Sequence, residues 1–111
     1  MAFFAPSETI PIEPVPGWKG LAMHGERMTL TSYAIAAGAP AVHEHEHVEE
    51  EAWTVIEGEL AVCVDGDERV LGPGDVAVIA PNVPHRVRAL RATRALVIDS
   101  PPRRQLPGTA H

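Results

Sequence analysis

The sequence is poor in cysteine and aromatic residues, and it has no long hydrophobic run. Its one cysteine, Cys63, excludes an intramolecular disulfide and lies in the apolar run LAVCV, which favours a buried thiol. No stretch approaches the roughly 20 apolar residues of a membrane-spanning helix, and the N-terminus has no basic or continuous apolar region typical of a secretory signal. We therefore expect a cytoplasmic protein with no membrane partner.

The 111 residues are enough for one domain with one core, and a hydrophobic content of 45% argues against a disordered chain. The net charge is −6 and is unevenly spread. Residues 44–68 carry ten acidic residues and no lysine or arginine, whereas residues 86–104 carry six arginines and one acid. The acidic balance and the lack of a nucleic-acid-binding motif argue against a nucleic-acid partner. The opposed charges instead predict contacts within or between subunits.

Helical periodicity is also missing, since no run of ten or more residues repeats at the spacing of a helix. Short apolar runs recur every 8–12 residues or so between turn residues, which is typical of an all-β sandwich or barrel. Asp65-Gly66 predicts a two-residue hairpin, and we expect a second hairpin at Glu57-Gly58. The predicted organisation is an extended N-terminal arm (1–17), a barrel (18–100) and a C-terminal tail (101–111). The expected strands lie near 20–24, 28–36, 41–47, 51–57, 60–64, 69–71, 75–80, 85–90 and 94–100.

Three histidines alternate with glutamates in the segment VHEHEH, which begins at Val42. In a strand, His43, His45 and His47 would share one face. Histidines two positions apart are separated by about 6.6–6.8 Å and can converge on one ion at about 2.0–2.1 Å. The outer pair, about 13 Å apart, is too widely spaced. Either His43 or His47 is therefore spare, and the alternative is a solvated edge strand without a metal.

This segment resembles the first motif of the cupin superfamily, G-x5-H-x-H-x(3,4)-E-x6-G. His45, His47, Glu51 and Gly58 match it at every spacing. The leading glycine departs from the pattern, because six residues rather than five separate Gly38 from His45.

The second cupin motif, G-x5-P-x-G-x2-H-x3-N, is matched in part. Gly74 and His85 have the required separation. Ala80, Asn82 and Ala89 replace the proline, the glycine and the asparagine of the motif. The resemblance covers about residues 20–100 and is to the small, single-domain, metal-binding cupins of the conserved-barrel type.

The resemblance implies a jelly-roll or double-stranded β-helix barrel that binds one divalent metal ion per chain. Three imidazoles and one carboxylate suit Fe, Mn, Ni, Co, Cu or Zn better than Ca or Mg. Glu51 is also the catalytic candidate, because a carboxylate ligand can shift to accept a proton. The implied ligands are His45, His47, Glu51 and His85, and the pocket candidates are His43, Trp53 and Tyr33.

The expected function is metal-dependent action on a small organic molecule in the barrel pocket, with a dioxygenase-type oxidoreductase as the favoured form. The alternatives are a non-redox isomerase or lyase acting on a sugar acid, and a non-catalytic ligand-binding or sensor cupin. A storage role is disfavoured, because one barrel with four intact ligands differs from two-barrel storage proteins. The sequence favours an enzyme without deciding the point.

We predict a homodimer, because the arm (residues 1–16) carries apolar residues with no helical or strand period and would expose them if left free. The arm is expected to lie on the partner or across the sheet edge. Sedimentation at micromolar concentration should give twice the chain mass, and deletion of residues 1–16 should lower dimerisation or thermal stability. A monomer mass for the full chain would contradict the prediction.

Overall fold

The computed structural model describes residues 2–108 and contains ten β-strands. A 3-10 turn at Pro6–Glu8 precedes them. Within the described residues, no helix is long and apolar enough to cross a membrane. The strands are β1 Ile10–Ile12, β2 Trp18–His24, β3 Thr29–Ile35, β4 Val42–His45, β5 Glu50–Glu57, β6 Leu60–Val64, β7 Asp67–Leu71, β8 Val76–Ile79, β9 His85–Ala89 and β10 Thr93–Ser100.

The strands form two antiparallel sheets, which confirms the predicted all-β jelly-roll class. The six-stranded sheet has the order β1-β2-β3-β10-β5-β8, and the four-stranded sheet has the order β4-β9-β6-β7. Alternate side chains of each strand point between the sheets, as the pleat requires. The enclosed core includes Trp18, Val55, Leu60, Val62 and Ile79.

The turns at Asp65-Gly66 and Glu57-Gly58 connect different kinds of strand pairs. Asp65 and Gly66 have φ of 48° and 83° and join β6 to β7 as the predicted two-residue hairpin. The expected hairpin at Glu57-Gly58 is wrong, because β5 pairs with β8 and β10 whereas β6 pairs with β7 and β9. Gly58 instead lies at a corner where the chain leaves one sheet for the other. A Cβ there would lie 2.4 Å from the carbonyl oxygen of Ala92.

The chain ends lie against the barrel. In the arm, β1 pairs with β2 of the same chain and Ile12 is buried, while Phe3 remains 84% exposed. In the tail, the backbone N–H of Glu13 donates to the carbonyl of Gly108 at 3.3 Å. Residue 1 and residues 109–111 of the predicted arm and tail lie outside the described residues. The domain boundaries and the homodimer stay predictions.

Replacing Gly58 by alanine should destabilise the fold more than replacing Gly38, although both have positive φ, +97° and +78°. A left-handed backbone conformation costs an L-residue about 1–2 kcal/mol. Gly38 has open space beside it, so Gly38→Ala should lower the free energy of unfolding by only that amount. Gly58→Ala also crowds the backbone of Ala92 and should lose about 1–3 kcal/mol more. Urea unfolding measures the free energy of unfolding of each variant. An equal loss in Gly38→Ala and Gly58→Ala would contradict the crowding at Ala92.

Candidate metal centre

Three histidines meet where β4, β9 and the turn after β4 come together. His45 ends β4 and is the cross-strand partner of His85 at the start of β9. His47 follows in the turn that leads to β5. The ring centroids of His45 and His85 lie 4.4 Å apart, and that of His47 lies 5.4 and 5.0 Å from them. One nitrogen from each ring lies within 4.8 Å of the other two, so the three could hold one metal ion.

Backbone contacts determine which nitrogen of each ring is available. Each Nδ1 lies within hydrogen-bond distance of a carbonyl oxygen two residues away. A carbonyl can only accept, so each Nδ1 carries a proton and donates, and in the neutral ring this leaves the lone pair on Nε2. The pairs are His45 with His43 at 2.9 Å, His47 with Glu49 at 3.1 Å, and His85 with Val83 at 2.8 Å.

Glu51 completes the cluster from β5 and is 2% exposed. Its Oε2 accepts a hydrogen bond from Trp53 Nε1 at 2.7 Å. His47 Nε2 lies 3.3 Å from Oε1 and His85 Nε2 lies 3.2 Å from Oε2. These approaches lack hydrogen-bond alignment, and within the described residues both buried nitrogens have no hydrogen-bond partner. Converging lone pairs without donors fit a divalent transition metal ion.

The pKa shifts of Glu51, His45 and His85 differ in direction and cause. Burial alone would raise the pKa of Glu51, but its contacts with His47, His85, Asp99 and Trp53 hold that pKa below its usual range. Burial lowers the pKa of His45 and so favours the neutral ring. For His85 burial acts in the same direction, but the neighbouring Glu51 and the Val83 carbonyl outweigh it and raise the pKa, so a metal ion at this ring would replace a proton. An ionised carboxylate and neutral imidazoles are the forms that bind metals.

Asp99 is a buried acid to which the sequence analysis assigned no role at the site. It lies on β10 directly opposite Glu51 on β5, and it is 2% exposed. Burial and the neighbouring Glu51 raise the pKa of Asp99 to about 9. The sequence did contain a signal, because Asp99 shares its parity on β10 with the core residues Ala95 and Val97. An acid at an inward position of an apolar strand is rarely left without a partner.

Arg103 reaches the cluster from the C-terminal tail. Its Nη1 lies 3.7 Å from Glu51 Oε1, and its side chain is 17% exposed. The backbone N–H of Arg103 donates to Thr29 Oγ1 at 2.8 Å, which holds the tail against β3. No sequence spacing indicated this contact, because it depends on the tail folding back over the barrel.

A cavity of about 830 Å³ opens onto the cluster. Tyr33 and Trp53 line it with rings stacked at 5.9 Å, and Trp18 packs edge-on against both. Burial raises the pKa of Tyr33, so its hydroxyl stays protonated and can donate. His43 is exposed and is not among the residues that line the cavity. The structure therefore places two of the three pocket candidates at the cavity.

The chain belongs to the cupin family, since the Cupin_2 family, a cupin domain, matches residues 32–100. An RmlC-like cupin from Shewanella frigidimarina NCIMB 400 is similar, with a TM-score of 0.83 and 25% identity over 94% of both chains. KdgF from Halomonas sp. has a TM-score of 0.83 and 23% identity, over 94% of this chain and 96% of that chain. Bacillus subtilis oxalate decarboxylase has a TM-score of 0.75 and 21% identity, over 88% of this chain and 29% of that chain. Comparison with curated proteins gives no match.

The structure explains one departure from the second cupin motif. Asn82 stands where the motif has glycine, and its φ is +62°. Asparagine is one of the few residues that adopt this left-handed conformation readily. The backbone N–H of Asn82 donates to the carbonyl of His47 at 2.8 Å. Asparagine therefore keeps the bend that leads to His85, and the backbone N–H at this position links the bend to the turn that carries His47.

Replacing any one of His45, His47 and His85 by alanine should weaken metal binding by about 10-fold or more, since even groups that only support a ligand contribute 10–100-fold. His43→Ala is the matched control, because His43 is exposed and the substitution keeps the backbone carbonyl that His45 Nδ1 contacts. Elemental analysis and chelator competition measure metal content and affinity. A loss for His43→Ala as large as that for His47→Ala would contradict this assignment.

Proposed function

We propose that this cupin is a metal-dependent enzyme that acts on a small organic acid bound in the barrel cavity. The observation that carries the proposal is that a guanidinium group, Arg103, and a His/Glu metal cluster open onto the same cavity of about 830 Å³. A cavity of this volume is of the size that encloses small molecules. The cytoplasmic location and the homodimer remain part of the proposal.

The charges of the site favour an anionic substrate. Glu51 contributes one negative charge, so a divalent ion held by this carboxylate and three neutral imidazoles would leave a positive centre. Arg103 adds a second positive charge within 3.7 Å of Glu51. Its contact with one Glu51 oxygen leaves other N–H donors of the fork for a carboxylate. Arg104 also lines the cavity, while Glu46 and Glu49 oppose part of this positive charge. Positive charge at the ion and Arg103 raises the local concentration of anions next to the cluster.

Each residue of the cavity has a task in this proposal. His45, His47, Glu51 and His85 would hold the ion, which would act as a Lewis acid on a substrate oxygen. Arg103 binds the substrate carboxylate and orients it. The Tyr33 hydroxyl donates a hydrogen bond, and the ring of Trp53 packs against the carbon skeleton. Glu51, held by Trp53 Nε1, is the carboxylate that can take up a proton next to the substrate.

The proposal includes two types of reaction, which differ in whether they use oxygen. A dioxygenase-type reaction consumes oxygen, whereas an isomerase or lyase changes the acid without it. Oxalate decarboxylase, whose Mn(II) centres have been studied, shares only the fold with this chain. It nevertheless makes oxalate and Mn²⁺ reasonable first probes.

The proposal is tested with protein loaded in turn with Fe, Mn, Ni, Co, Cu and Zn. Oxalate, 2-oxo acids and uronates are offered beside their amides, and catechols, flavonols and diketones serve as neutral alternatives. Mass spectrometry follows the product while an electrode follows oxygen. We expect turnover of an acid in preference to its amide. Saturable binding without product would instead support a sensor, and preferred turnover of a neutral compound would contradict the assigned substrate class.

Arg103→Gln should raise the KM for the active acid by about 10-fold or more, since a charge-assisted hydrogen bond contributes about 1.5–3 kcal/mol. Metal content should be unchanged, because Arg103 is not among the implied ligands. Arg86→Gln is the matched control, since Arg86 follows His85 on β9 but is exposed. Steady-state kinetics measures the KM, and elemental analysis measures the metal content. An unchanged KM for Arg103→Gln would remove Arg103 from the substrate site.

A further inference from the structure

We propose that a second copy of this chain packs on the outer face of the six-stranded sheet, so that two such sheets are stacked face to face. The outer face is the side of the sheet that is turned away from the core and the metal cluster. This contact rests on the homodimer that is part of the proposed function. It depends on neither the metal ion nor the reaction.

Two rows of described residues cross the middle of this face, and neither row contains a charged residue. In each row the strand registers place one residue each of β2, β3, β10, β5 and β8 side by side. The first row is Leu21, Ser32, Leu96, Thr54 and Val76, and the second row is Met23, Leu30, Ile98, Ala52 and Val78. Val76 and Val78 are 61% and 63% exposed, so the described part of the chain does not cover them.

The outer face of the four-stranded sheet has the composition of a solvated surface. Arg86 and Arg88 of β9 are exposed there, and Arg88 Nη2 donates to Glu68 Oε1 at 3.0 Å. A sheet with one solvated face alternates apolar and polar residues, whereas a sheet that is covered on both faces is apolar on both. The sequences VAVI of β8 and ALVI at residues 95–98 of β10 follow the second pattern. The six-stranded sheet therefore resembles a sheet that is covered on both sides.

The size of the face suits a contact between two copies. Five strands spaced about 4.8 Å apart and four rows spaced about 6.7 Å apart give a face of about 24 by 27 Å. Stacking would cover about 650 Å² on each copy, and the total of about 1,300 Å² lies in the range of stable interfaces. The two outer rows add the exposed apolar side chains of Ile56 and Met28. Because two sheets of equal twist pack with nearly aligned strands, a copy of this face is itself a suitable partner.

The charges at the two ends of the face complement each other across a two-fold axis. Lys19 and Arg94 lie in the row at one end, where Glu57 is opposite Arg94, and Glu50 lies in the row at the other end. A two-fold axis that runs along the rows, between the central two, places each end over the opposite end of the second copy. The more basic end then meets the acidic end. A lipid surface is a poorer partner, because anionic lipids attract clusters of basic side chains and the border of this face also carries two glutamates.

The test measures the dimer Kd of the full-length protein by analytical ultracentrifugation. Val78→Glu and Ile98→Glu each place a charge at an exposed apolar position of the face. Each should raise the dimer Kd by about 100-fold or more, because stacking would bury the charge without a partner. Val70→Glu is the matched control, since Val70 is 56% exposed on the outer face of the four-stranded sheet, and it should leave the Kd unchanged. Urea unfolding checks that each variant is folded.

Ser32→Cys provides a second measurement that places no charge on the face. Ser32 is exposed in the first central row, so stacking would shield a thiol at this position. The rate of its reaction with a bulky maleimide should rise with the fraction of monomer, on dilution or when Ile98→Glu is added. Val70→Cys should react at the same rate in both states. Mass spectrometry distinguishes either thiol from the buried Cys63.

A monomeric wild-type chain at micromolar concentration would overturn the inference, as would a dimer that persists in both face variants. Loss of the dimer in Phe3→Glu but not in Ile98→Glu would assign the contact to the arm instead, where Phe3 is exposed. Flotation of a monomeric wild-type chain with anionic vesicles would assign the face to a lipid surface. None of these results affects the metal-dependent activity, which is tested by turnover. A dimer that follows the expected pattern but turns over no acid would support the contact and leave only the activity contradicted.

Discussion

A carboxylate buried between two sheets needs compensation from the protein, and Glu51 receives it from several parts of the chain. Trp53 donates to it from the same strand. A bound cation would join it to His47 in the turn before β5 and to His85 on β9 of the other sheet, whose Nε2 atoms lie 3.3 and 3.2 Å away. Arg103 arrives from the tail. An unpaired buried charge would be strongly destabilising. The position of Glu51 therefore constrains the packing of the two sheets and the path of the tail.

Turn chemistry made most of the strands predictable. Glycine, proline and Asp-Gly pairs divide the chain into runs whose alternation matches a two-sheet sandwich, and the Asp65-Gly66 hairpin followed directly. The Glu57-Gly58 turn was misassigned because a local signal cannot distinguish a hairpin from a corner between sheets. That distinction depends on the contact between Gly58 and Ala92, which are far apart in sequence. Pairing partners, unlike strand positions, are set by such long-range contacts.

The site was predictable to the extent that its residues share a short spacing or a strand face. The spacing of His45, His47 and Glu51 pointed to a cluster, and the resemblance added His85. Asp99 carried a weaker signal in its inward parity on β10, which becomes informative only when β5 is known to lie beside it. Arg103 carried no sequence signal, because its position at the site depends on the contact between the tail and Thr29. Contributions from segments without periodicity can be found only in three dimensions.

The carbonyl contacts that fix the three imidazole rings also affect how an ion would enter and leave. The rings have their orientation before the ion arrives, so loading would require little loss of conformational entropy. Asn82 adds to this by linking the approach to β9 with the turn that holds His47. A scaffold prepared in this way should release one ion and accept another without unfolding. Differences between the protein loaded with different metals can then be attributed to the ions rather than to the chain.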